Sequence, residues 1–379
     1  MTKVLITGAA GFIGSSLALK LKLKNIEVVL LDNLSKQIHG DDPLRSSGTY
    51  AKIKDFKNVI IADVRDRAAV RNALLGVTSV VHLAAETGTG QSMYAIENYC
   101  DVNIRGTAVL LEEILALKTQ IKKVIIASSR AVYGEGKYRC TSHGIKYPNS
   151  RTAAAMQSAQ FEHICDQCQE KLVVVPTDEN SMLKPQSIYG VTKLSQEQLV
   201  LNAAASAGIN AVALRFQNVY GPGQSLSNPY TGILSIFSSR ARENKPISIF
   251  EDGLESRDFV YIDDVVESIY LSLVDTSSGQ FVFNVGSERL TSVNQVVDAI
   301  IEFFSSKSVV TVTGEYRVGD IRHNVGDLNA ISNQLKFKPT VFFSEGVKHF
   351  LKWVQSQTAG TDKYDKSLDE LRSRGLLKK

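Results

Sequence analysis

The side chains best suited to chemistry in this sequence are Tyr189 and Lys193, which occur in the segment YGVTK. A spacing of four places both side chains on one face of a helix, so an ammonium group would lie beside a phenol. A free phenol has a pKa of about 10, and half-ionising it at neutral pH requires roughly 4 kcal/mol of differential stabilisation. Nearby positive charge would supply that energy. The pair predicts a tyrosine that acts as a base, although this spacing is common and needs supporting context.

A glycine-rich turn near the start of the chain supplies such context. The octapeptide TGAAGFIG directly follows an apolar run and opens a helix-length segment. Gly8 permits a tight turn, Gly11 lets the backbone approach a pyrophosphate, and Gly14 lets the helix pack closely on a sheet. Free amides at the helix start, around Phe12 and Ile13, would hold the phosphates. A dinucleotide site is therefore predicted, and a strand-to-helix turn without a ligand is the alternative.

An acidic residue at the end of the second apolar run indicates which dinucleotide would bind. Asp32, followed by Asn33, would accept hydrogen bonds from an adenosine ribose and repel a 2′-phosphate, which favours NAD over NADP. Asp63 and Val64 end the third run and would lie beside the adenine, unless Asp63 only caps the next segment. Bound NAD would also bring a positively charged nicotinamide ring to Tyr189.

The elements that must position these residues are short, nearly continuous apolar runs, as buried parallel strands require. They are Val4–Ile6, Val28–Leu31, Val59–Ala62, Val80–Leu83, Val124–Ala127 and Ala211–Leu214. Helix-length segments such as Gly14–Lys24 and Asn103–Leu117 separate several of them. This alternation predicts an α/β fold with a Rossmann-type doubly wound parallel sheet, which forms an NAD-binding domain over residues 1–214.

The pattern changes after residue 214 to loops rich in Gly, Pro and Asn. Short strands are expected there, for example Ile247–Phe250 and Phe281–Val285, together with three helices. The segment 215–357 is therefore predicted to be a smaller α+β substrate-binding lobe, with the cleft between it and the Rossmann domain.

Composition excludes several classes of function. The 379 residues carry a net charge of +4 without a basic block, so nucleic-acid binding is not indicated, although local arginines could meet a diphosphate. No apolar run reaches the about 18 residues needed to span a bilayer, and glycines interrupt the apolar start. We therefore expect a cytoplasmic protein without a membrane segment. Its four cysteines would be reduced thiols or metal ligands.

Over residues 1–355 the chain resembles the extended short-chain dehydrogenase/reductase family, in particular its nucleotide-sugar epimerases and dehydratases. The matching segments follow the family's order: Gly8–Gly14, His82-Leu83-Ala84-Ala85, Asn103 with Gly106-Thr107, Ser128-Ser129 before Val132-Tyr133-Gly134, Tyr189 with Lys193, Arg215 with Asn218-Val219-Tyr220-Gly221-Pro222, Arg257-Asp258-Phe259-Val260, and Arg317 with Gly319-Asp320. So many ordered matches make a chance origin negligible.

The resemblance implies roles for the matching residues. Ser129 would hydrogen-bond the sugar hydroxyl that is oxidised, Tyr189 would take its proton, and Lys193 would hold the nicotinamide ribose and lower the tyrosine pKa. Further cofactor contacts would come from Leu83, Ala84, Ala85 and Asn103. The nucleotide-diphosphate sugar would be held by Thr87, Ser129, Asn218, Arg257, Arg317 and Asp320.

Several of these residues also have a plain structural interpretation. Ser129 could be an ordinary serine at a strand end, and Arg257 with Asp258 could form a surface ion pair worth less than about 1 kcal/mol. Arg317 and Asp320 could cap a loop. Two guanidiniums nevertheless suit a diphosphate well, because they cannot lose their charge.

The two residues after Ser129 distinguish between reactions of that family. Related dehydratases carry an Asp-Glu pair there, whereas this chain has Arg130 and Ala131, which leaves no acid and base for eliminating water. The remaining reaction is reversible oxidation at C4 of the sugar, an isomerisation that regenerates NAD. A 4-keto reductase or dehydrogenase that releases its cofactor is one alternative, and a non-catalytic NAD-binding regulator is another.

Three further segments resemble a subgroup of the family, the dTDP-L-rhamnose 4-epimerases. They are Leu34-Ser35 with His39-Gly40, Glu86–Tyr94 and Tyr133–Cys140. Those enzymes interconvert dTDP-L-rhamnose and dTDP-6-deoxy-L-talose, which the resemblance implies as the substrates. A UDP-hexose 4-epimerase is the alternative, and the Gly/Thr-rich segment 86–94 could be a simple turn on the cofactor side.

A long insert, about 135–178, lies between the predicted serine and tyrosine, where the family needs far fewer residues. It contains two pairs of ligand-type residues at the spacing of a structural zinc site, Cys140 with His143 and Cys165 with Cys168. His163 is a spare candidate ligand, and no glycine follows Cys168 to make the usual turn. The alternative to a zinc site is a set of reduced thiols with a surface histidine.

The C-terminal tail, 358–379, is charged and carries Leu368, Leu371 and Leu376 at helical spacing. We interpret it as a surface helix packed loosely on the body, with a subunit contact as the alternative. A homodimer is expected because the family commonly pairs through two helices, here Asn103–Leu117 and the helix that contains Tyr189.

Overall fold

The computed structural model describes residues 2–117, 120–226, 228, 232–358 and 364–379. Its strands, in chain order, are β1 (Lys3–Thr7), β2 (Glu27–Asp32), β3 (Val59–Ile61), β4 (Ser79–His82), β5 (Lys123–Ser129), β6 (Tyr138–Cys140), β7 (Gly144–Lys146), β8 (Val173–Val174), β9 (Asn210–Phe216), β10 (Asn218–Tyr220), β11 (Ile247–Ile249), β12 (Ser256–Tyr261), β13 (Gln280–Val285), β14 (Leu290–Ser292), β15 (Val310–Val312), β16 (Tyr316–Arg317), β17 (His323–Asn324) and β18 (Leu377–Lys378).

The α-helices are α1 (Phe12–Leu23), α2 (Lys36–His39), α3 (Pro43–Ser46), α4 (Gly48–Ala51), α5 (Arg67–Ala73), α6 (Thr89–Ser92), α7 (Ile96–Tyr99), α8 (Gly106–Ala116), α9 (Ala153–Gln157), α10 (Ile188–Ala207), α11 (Ile233–Arg242), α12 (Ile262–Val274), α13 (Val293–Phe304), α14 (Asn329–Leu335), α15 (Phe343–Ser356) and α16 (Tyr364–Ser373). A π-helical segment, Cys100–Arg105, leads into α8, and a 3₁₀ turn, Arg130–Tyr133, follows β5.

A parallel sheet of seven strands in the order β13-β9-β5-β4-β1-β2-β3 forms the centre of the molecule. Its strands are apolar on both faces because helices cover both sides. Along β1, for example, Val4 and Ile6 pack into the core on one face and Leu5 packs into the core on the other. The strand order reverses between β1 and β4, and a crevice for ligands is expected at the carboxyl ends of these strands. The predicted doubly wound α/β fold is confirmed, including all six of the apolar runs predicted as strands.

The predicted boundary between residues 214 and 215 does not separate two independent units. Strand β13, which was predicted as part of the lobe, pairs in parallel with β9 and extends the central sheet. Helix α12 packs against α1, and one continuous core contains both Val4 of the sheet and Phe350 of α15. The pairing of β13 with β9 was not predicted, because pairing between distant strands leaves no local signal in the sequence. The substrate side is therefore built onto one face of the sheet.

Smaller sheets complete the substrate side. Strands β10, β12 and β14 form a sheet with β17 on β12, while β11 pairs with β15 and β16 pairs with β18. The segment predicted as an insert contains α9 and a separate three-stranded sheet in the order β7-β6-β8. Within the described residues, no helix combines the length and the apolar character that crossing a membrane would require.

The C-terminal tail packs more closely than predicted. Residues 359–363 of the predicted tail lie outside the described residues, but α16 buries Tyr364, Leu368 and Leu371 against the body. Strand β18 then pairs with β16. The interpretation as a loosely packed surface helix was wrong, because the apolar positions of α16 find apolar partners in Tyr94, Ile236 and Phe250.

Candidate active site

A cleft of about 1110 Å³ opens at the carboxyl ends of the central strands. Pockets for one small ligand usually measure about 300–1000 Å³, so this cleft has room for a dinucleotide beside a second nucleotide. The predicted catalytic, cofactor and substrate residues that line it are Gly8, Gly11, Phe12, Ile13, Gly14, Asp32, Asn33, Asp63, Val64, Leu83, Ala84, Ala85, Thr87, Ser129, Tyr189, Lys193, Asn218, Arg257, Arg317 and Asp320.

The glycine turn between β1 and α1 is shaped by close backbone contacts. Gly8 has a φ of +69°, and a Cβ added to it would lie 2.8 Å from the amide nitrogen of Ala84. A Cβ at Gly14 would lie 2.2 Å from the carbonyl oxygen of Gly8. Helix α1 begins at Phe12, and no side chain caps its first amides. These amides are therefore available to a phosphate in the cleft.

Asp32 fixes this turn as well as facing the cleft. One of its carboxylate oxygens accepts a hydrogen bond from the amide of Ala10 at 2.8 Å, and the other accepts one from the amide of Leu34 at 2.8 Å. The carboxylate is thereby oriented at the end of β2, where an adenosine ribose would lie.

Asp63 forms an ion pair with Arg65 and does not cap helix α5. Its two oxygens accept hydrogen bonds from the Arg65 guanidinium at 2.8 Å, and Asn33 donates to Oδ2 at 2.9 Å. The hydrogen bond from Arg65 lowers the pKa of Asp63 to about 2. Helix α5 is capped instead by the side chain of Asp66. Asp63 Oδ1 also accepts a hydrogen bond from the amide of Arg65 at 2.9 Å, so Asp63 caps the turn before α5, and its contact with adenine stays a prediction.

The segment 36–52 adds cleft residues that were not predicted as site residues. His39 is buried, and its Nδ1 lies 2.7 Å from Ser47 Oγ. Burial lowers the pKa of His39, against the nearby charge of Asp32. Lys52 also lines the cleft, and burial lowers its pKa. The narrower resemblance included His39, but Lys52 lies in short helices and turns whose placement no local pattern indicated.

Ser129 and Tyr189 meet in the cleft although they are far apart in the sequence. Ser129 is the last residue of β5, and Tyr189 lies in the first turn of α10, which Ser187 caps by accepting a hydrogen bond from Gly190 N at 3.1 Å. The Ser129 hydroxyl accepts a hydrogen bond from the amide of Ala131 at 3.2 Å, and the side chains of Ser129 and Tyr189 both line the cleft. Burial raises the pKa of Tyr189, while Ser129 and the charge of Arg130 oppose that rise.

Lys193 follows one turn later in α10 and is buried. Its ammonium donates to Gln196 Oε1 at 2.7 Å, and burial lowers its pKa to about 7. The chain's own groups therefore do not produce the lowered Tyr189 pKa that was expected. The cation that acts on the phenol is Arg130, because Lys193 is turned towards Gln196.

An uncharged polar network supports this part of the site. The His82 ring lies between Thr7 Oγ1 at 2.7 Å and Thr107 Oγ1 at 2.9 Å, and Gln196 donates to Thr107 at 2.8 Å. Burial, with a smaller effect of Lys193, lowers the pKa of His82 to about 3. The neutral ring thus links β1, β4, α8 and α10 behind the cleft.

Asn103 is the one predicted cofactor contact that does not line the cleft. Its side chain is fully buried, accepts from Glu86 N at 2.7 Å and donates to Thr192 Oγ1 at 2.9 Å. The prediction of a direct contact is corrected by this geometry. Asn103 instead ties the segment after β4 to α10, one residue away from Lys193.

The predicted substrate residues lie on the opposite wall. Arg257 donates to the carbonyl oxygens of Arg322 at 2.9 Å and Ile321 at 2.8 Å, and the Arg317 guanidinium stacks 4.7 Å from the centre of the Phe250 ring. Buried polar atoms without a partner among the described residues include Asn218 Oδ1, Arg317 Nε and both side-chain atoms of Gln217. Unpaired buried polar atoms are costly, so their position in a cleft indicates a polar ligand. Gln217 was missed in the sequence, although it directly precedes the matched Asn218.

Arg257 and Asp258 do not form the surface ion pair that was considered as an alternative. Consecutive strand residues point to opposite faces. Asp258 is fully buried and accepts from the amide and hydroxyl of Ser287 at 2.7 and 2.8 Å. Burial raises its pKa to about 6. Arg257 is thereby left to face the cleft.

Helix α16 contributes an apolar part of the wall. Tyr364, Leu368 and Leu371 line the cleft. A Cβ added to Gly90 would lie 3.7 Å from Leu371 Cδ2, so α16 touches the segment that carries Thr87. The segment that carries Thr87 also contacts α10, the helix that contains Tyr189, because Tyr189 N donates to Ser92 Oγ at 3.0 Å.

The residues present fit NAD. The cradle at Gly8 and Gly14 leaves no space for a side chain, the first amides of α1 lack a side-chain cap, and Asp32 is oriented at the end of β2. These three features suit a pyrophosphate and a ribose without a 2′-phosphate.

Known proteins share this architecture. The model of the NAD dependent epimerase/dehydratase family matches residues 4–286. A dTDP-L-rhamnose 4-epimerase from Burkholderia thailandensis is 35% identical over 359 residues, which cover 94% of this chain and 95% of that protein.

Two solved structures are similar over nearly their full length. The UDP-glucuronic acid 4-epimerase from Bacillus cereus, in complex with UDP-glucuronic acid and NAD, has a TM-score of 0.76 at 26% identity and covers 93% of this chain and 99% of its own. The UDP-glucose 4-epimerase from Thermotoga maritima, with UDP-glucose, has a TM-score of 0.75 at 28% identity with the same coverage of both chains.

Proposed function

The chain belongs to the NAD dependent epimerase/dehydratase family, and we propose that it is a nucleotide-sugar 4-epimerase that interconverts dTDP-L-rhamnose and dTDP-6-deoxy-L-talose. The observation that carries the epimerase proposal is that Ser129, Tyr189 and Lys193 line the same cleft as the glycine turn. The 35% identity with the dTDP-L-rhamnose 4-epimerase supports the substrate.

The chain's own residues would bind the two ligands on opposite walls. Gly8, Gly11 and Asp32 would hold NAD, and Asn218, Arg257 and Arg317 would hold the diphosphate and ribose of the sugar nucleotide. Bound NAD supplies a hydride acceptor and donor at one sugar carbon, so a complete cycle consumes none of it.

Tyr189 would move the proton of this reaction. Ser129 lines the cleft together with Tyr189 and would orient the C4 hydroxyl of the sugar by a hydrogen bond. Tyr189 then accepts the hydroxyl proton as the carbon is oxidised and returns it as the carbon is reduced. Because burial raises the pKa of Tyr189, the charges of Arg130 and of bound NAD would be needed to favour the phenolate.

Elimination of water is not proposed, because the positions after Ser129 carry no carboxylate. Arg130 and Ala131 line the cleft there. A guanidinium cannot serve as the base that removes a proton from C5, since it stays protonated.

The substrate is tested with a panel of dTDP- and UDP-sugars whose products are resolved by proton NMR. We expect dTDP-L-rhamnose and dTDP-6-deoxy-L-talose to interconvert without a net change in NADH absorbance. Conversion of UDP-hexoses alone would replace the proposed substrate with the one named for the solved Thermotoga structure. Stoichiometric formation of NADH would instead indicate a dehydrogenase.

The mechanism is tested with Tyr189→Phe. General acid–base catalysis contributes about 10²–10⁴-fold, so kcat should fall by that factor while the affinity for NAD changes little. The matched control is Tyr270→Phe, because Tyr270 lies on α12 away from the cleft residues. Full activity in Tyr189→Phe would exclude Tyr189 as the base.

A further inference from the structure

The four ligand-type side chains of the insert lie together although they come from two separate segments. Cys140 ends β6, His143 lies in the turn before β7, and Cys165 and Cys168 lie in a later turn. One ligand atom from each lies within 4.8 Å of the others. Cys140 Sγ is 3.5 Å from Cys168 Sγ, and His143 Nδ1 is 3.6 Å from the sulfurs of Cys140 and Cys165.

These spacings match a tetrahedral zinc ion. With Zn–S bonds of about 2.3 Å and a Zn–N bond of about 2.0 Å, tetrahedral angles place two sulfurs roughly 3.8 Å apart and a sulfur and a nitrogen roughly 3.5 Å apart. Three thiolates and one imidazole form a soft ligand set that favours zinc over magnesium or calcium. His163 is not a member of this cluster, and its Nε2 lies 3.0 Å from Glu135 Oε2.

The turn after Cys168 also has the conformation that such a site needs. Gln169 has a φ of +62°, so it adopts the left-handed conformation that glycine usually provides at this point. The amide of Gln169 donates a hydrogen bond to the carbonyl oxygen of Cys165 at 2.9 Å, which closes the turn. The missing glycine noted in the sequence is therefore not an obstacle to metal binding.

The insert has only small apolar clusters among the described residues. The cluster around the four ligand-type residues contains Tyr138, Cys140, Cys165 and Leu172, two of which are the cysteines themselves, and a second cluster joins Met156 and Phe161 to Tyr316. Its strands are two or three residues long. A core this small needs a cross-link or a metal, as in other small scaffolds.

We propose that Cys140, His143, Cys165 and Cys168 bind one structural zinc ion. All four positions are occupied by protein ligands, so no coordination position is left for substrate. The ion would fasten the β6–β7 turn to the turn that holds Cys165 and Cys168. Between these turns, the same insert contributes Arg151, which donates to Glu251 at 2.6 Å and to the carbonyl oxygen of Asp320 at 3.0 Å. The zinc site therefore holds a segment that supports the substrate wall, which is the side of the cleft that carries Asn218, Arg257 and Arg317.

The first test is metal analysis of the full-length protein, purified under reducing conditions without added metal. We expect one zinc per chain, its loss in Cys165→Ser, and its retention in the matched control Cys100→Ser, whose half-buried cysteine lies outside the insert. His143→Ala is the milder variant, because this ligand is exposed, and it should lower zinc retention even if Cys165→Ser does not fold.

The second test uses the wild-type protein and the metal alone. Cobalt(II) added to the zinc-free protein should give the intense visible bands of tetrahedral thiolate coordination, and zinc should displace it and raise the melting temperature. Absence of stoichiometric zinc together with four freely reactive thiols would overturn the proposal, as would iron in its place or a disulfide between Cys140 and Cys168. These readouts do not depend on sugar-nucleotide turnover, so they stand or fall separately from the proposed function.

Discussion

The two walls of the cleft are held by different forces. The cofactor wall relies on close backbone contacts at Gly8 and Gly14 and on the uncharged network around His82. The substrate wall relies on buried ions. Arg322, whose side chain is fully buried, donates to Glu162 at 2.7 Å, to Asp252 at 2.7 Å and to Glu251 at 3.0 Å.

The two walls also differ in which parts of the chain form them. The glycine turn and His82 belong to β1, β4 and their connections, which follow one another within the first 107 residues together with Thr107. The ionic cluster joins three distant parts of the chain, since Glu162 lies in the insert, Glu251 precedes β12 and Arg322 precedes β17. A change in the insert can therefore alter the substrate wall without disturbing the cofactor wall.

The largest effect is expected from Arg322→Leu, which removes the cation at the centre of the substrate wall. Breaking a buried ion pair by removing one partner usually costs about 3–5 kcal/mol, because charges are left buried and uncompensated. The free energy of unfolding in urea should fall by that amount.

The control for this change is Arg105→Leu, whose side chain is 63% exposed and pairs with Asp101. Exposed pairs contribute less than about 1 kcal/mol. Equal effects of the two substitutions would show that the substrate wall does not depend on its buried ions.

A smaller effect is expected on the other wall from Gly14→Ala. The added Cβ would lie 2.2 Å from Gly8 O, and relieving such overpacking usually costs about 1–3 kcal/mol. Because the turn itself must shift, affinity for NAD should fall together with stability, as measured by calorimetry and urea unfolding.

Ser16→Ala is the matched control on the same helix, and surface changes of this kind stay within about 0.5 kcal/mol. Unchanged NAD affinity in Gly14→Ala would contradict the view that the close backbone contacts at Gly8 and Gly14 determine the shape of the cofactor wall.

The last effect is expected from pH, through Lys193, and amounts to at most about 1.4 kcal/mol for each pH unit. Burial holds its pKa at about 7 in the folded chain, against 10.5 as its ordinary value, so the unfolded state binds more protons between these limits. The stability of the cofactor-free protein should therefore rise with pH from about 7 to about 10 more steeply in the wild type than in Lys193→Met.

Urea unfolding at several pH values measures this difference, with the exposed Lys57→Met as control. Parallel pH curves for the wild type and Lys193→Met would mean that Lys193 keeps an ordinary pKa in the folded chain.

The cofactor wall could be predicted from the sequence because its signals are local. Each apolar run is a short contiguous segment, the glycine turn directly follows the first run, and Asp32 directly follows the second. The structure places the runs in the central sheet and the turn and Asp32 at the cleft. The partners of Tyr189 were harder to predict. Its spacing from Lys193 is right for one helical face, but the direction of the ammonium depends on Gln196, which the pattern did not include.

The substrate wall could be predicted only in part, because its contacts join distant segments. The positions of Arg257 and Arg317 came from the family resemblance, whereas the cluster around Arg322 and the return of β13 to the central sheet left no local signal. The domain limits, the cytoplasmic location and the homodimer stay predictions.

Helix α16 has a consequence for how ligands enter and leave. Leu368 and Leu371 lie against the cleft, and Arg374 stacks 4.1 Å from the Tyr94 ring on the cofactor side, while Arg372 pairs with Glu315 on the other side. The helix and the residue after it thus contact both sides of the cleft, and a sugar nucleotide entering there would pass beside them. For the proposed epimerase, which would oxidise its substrate only to reduce it again, such a bridge would slow the escape of the ketone.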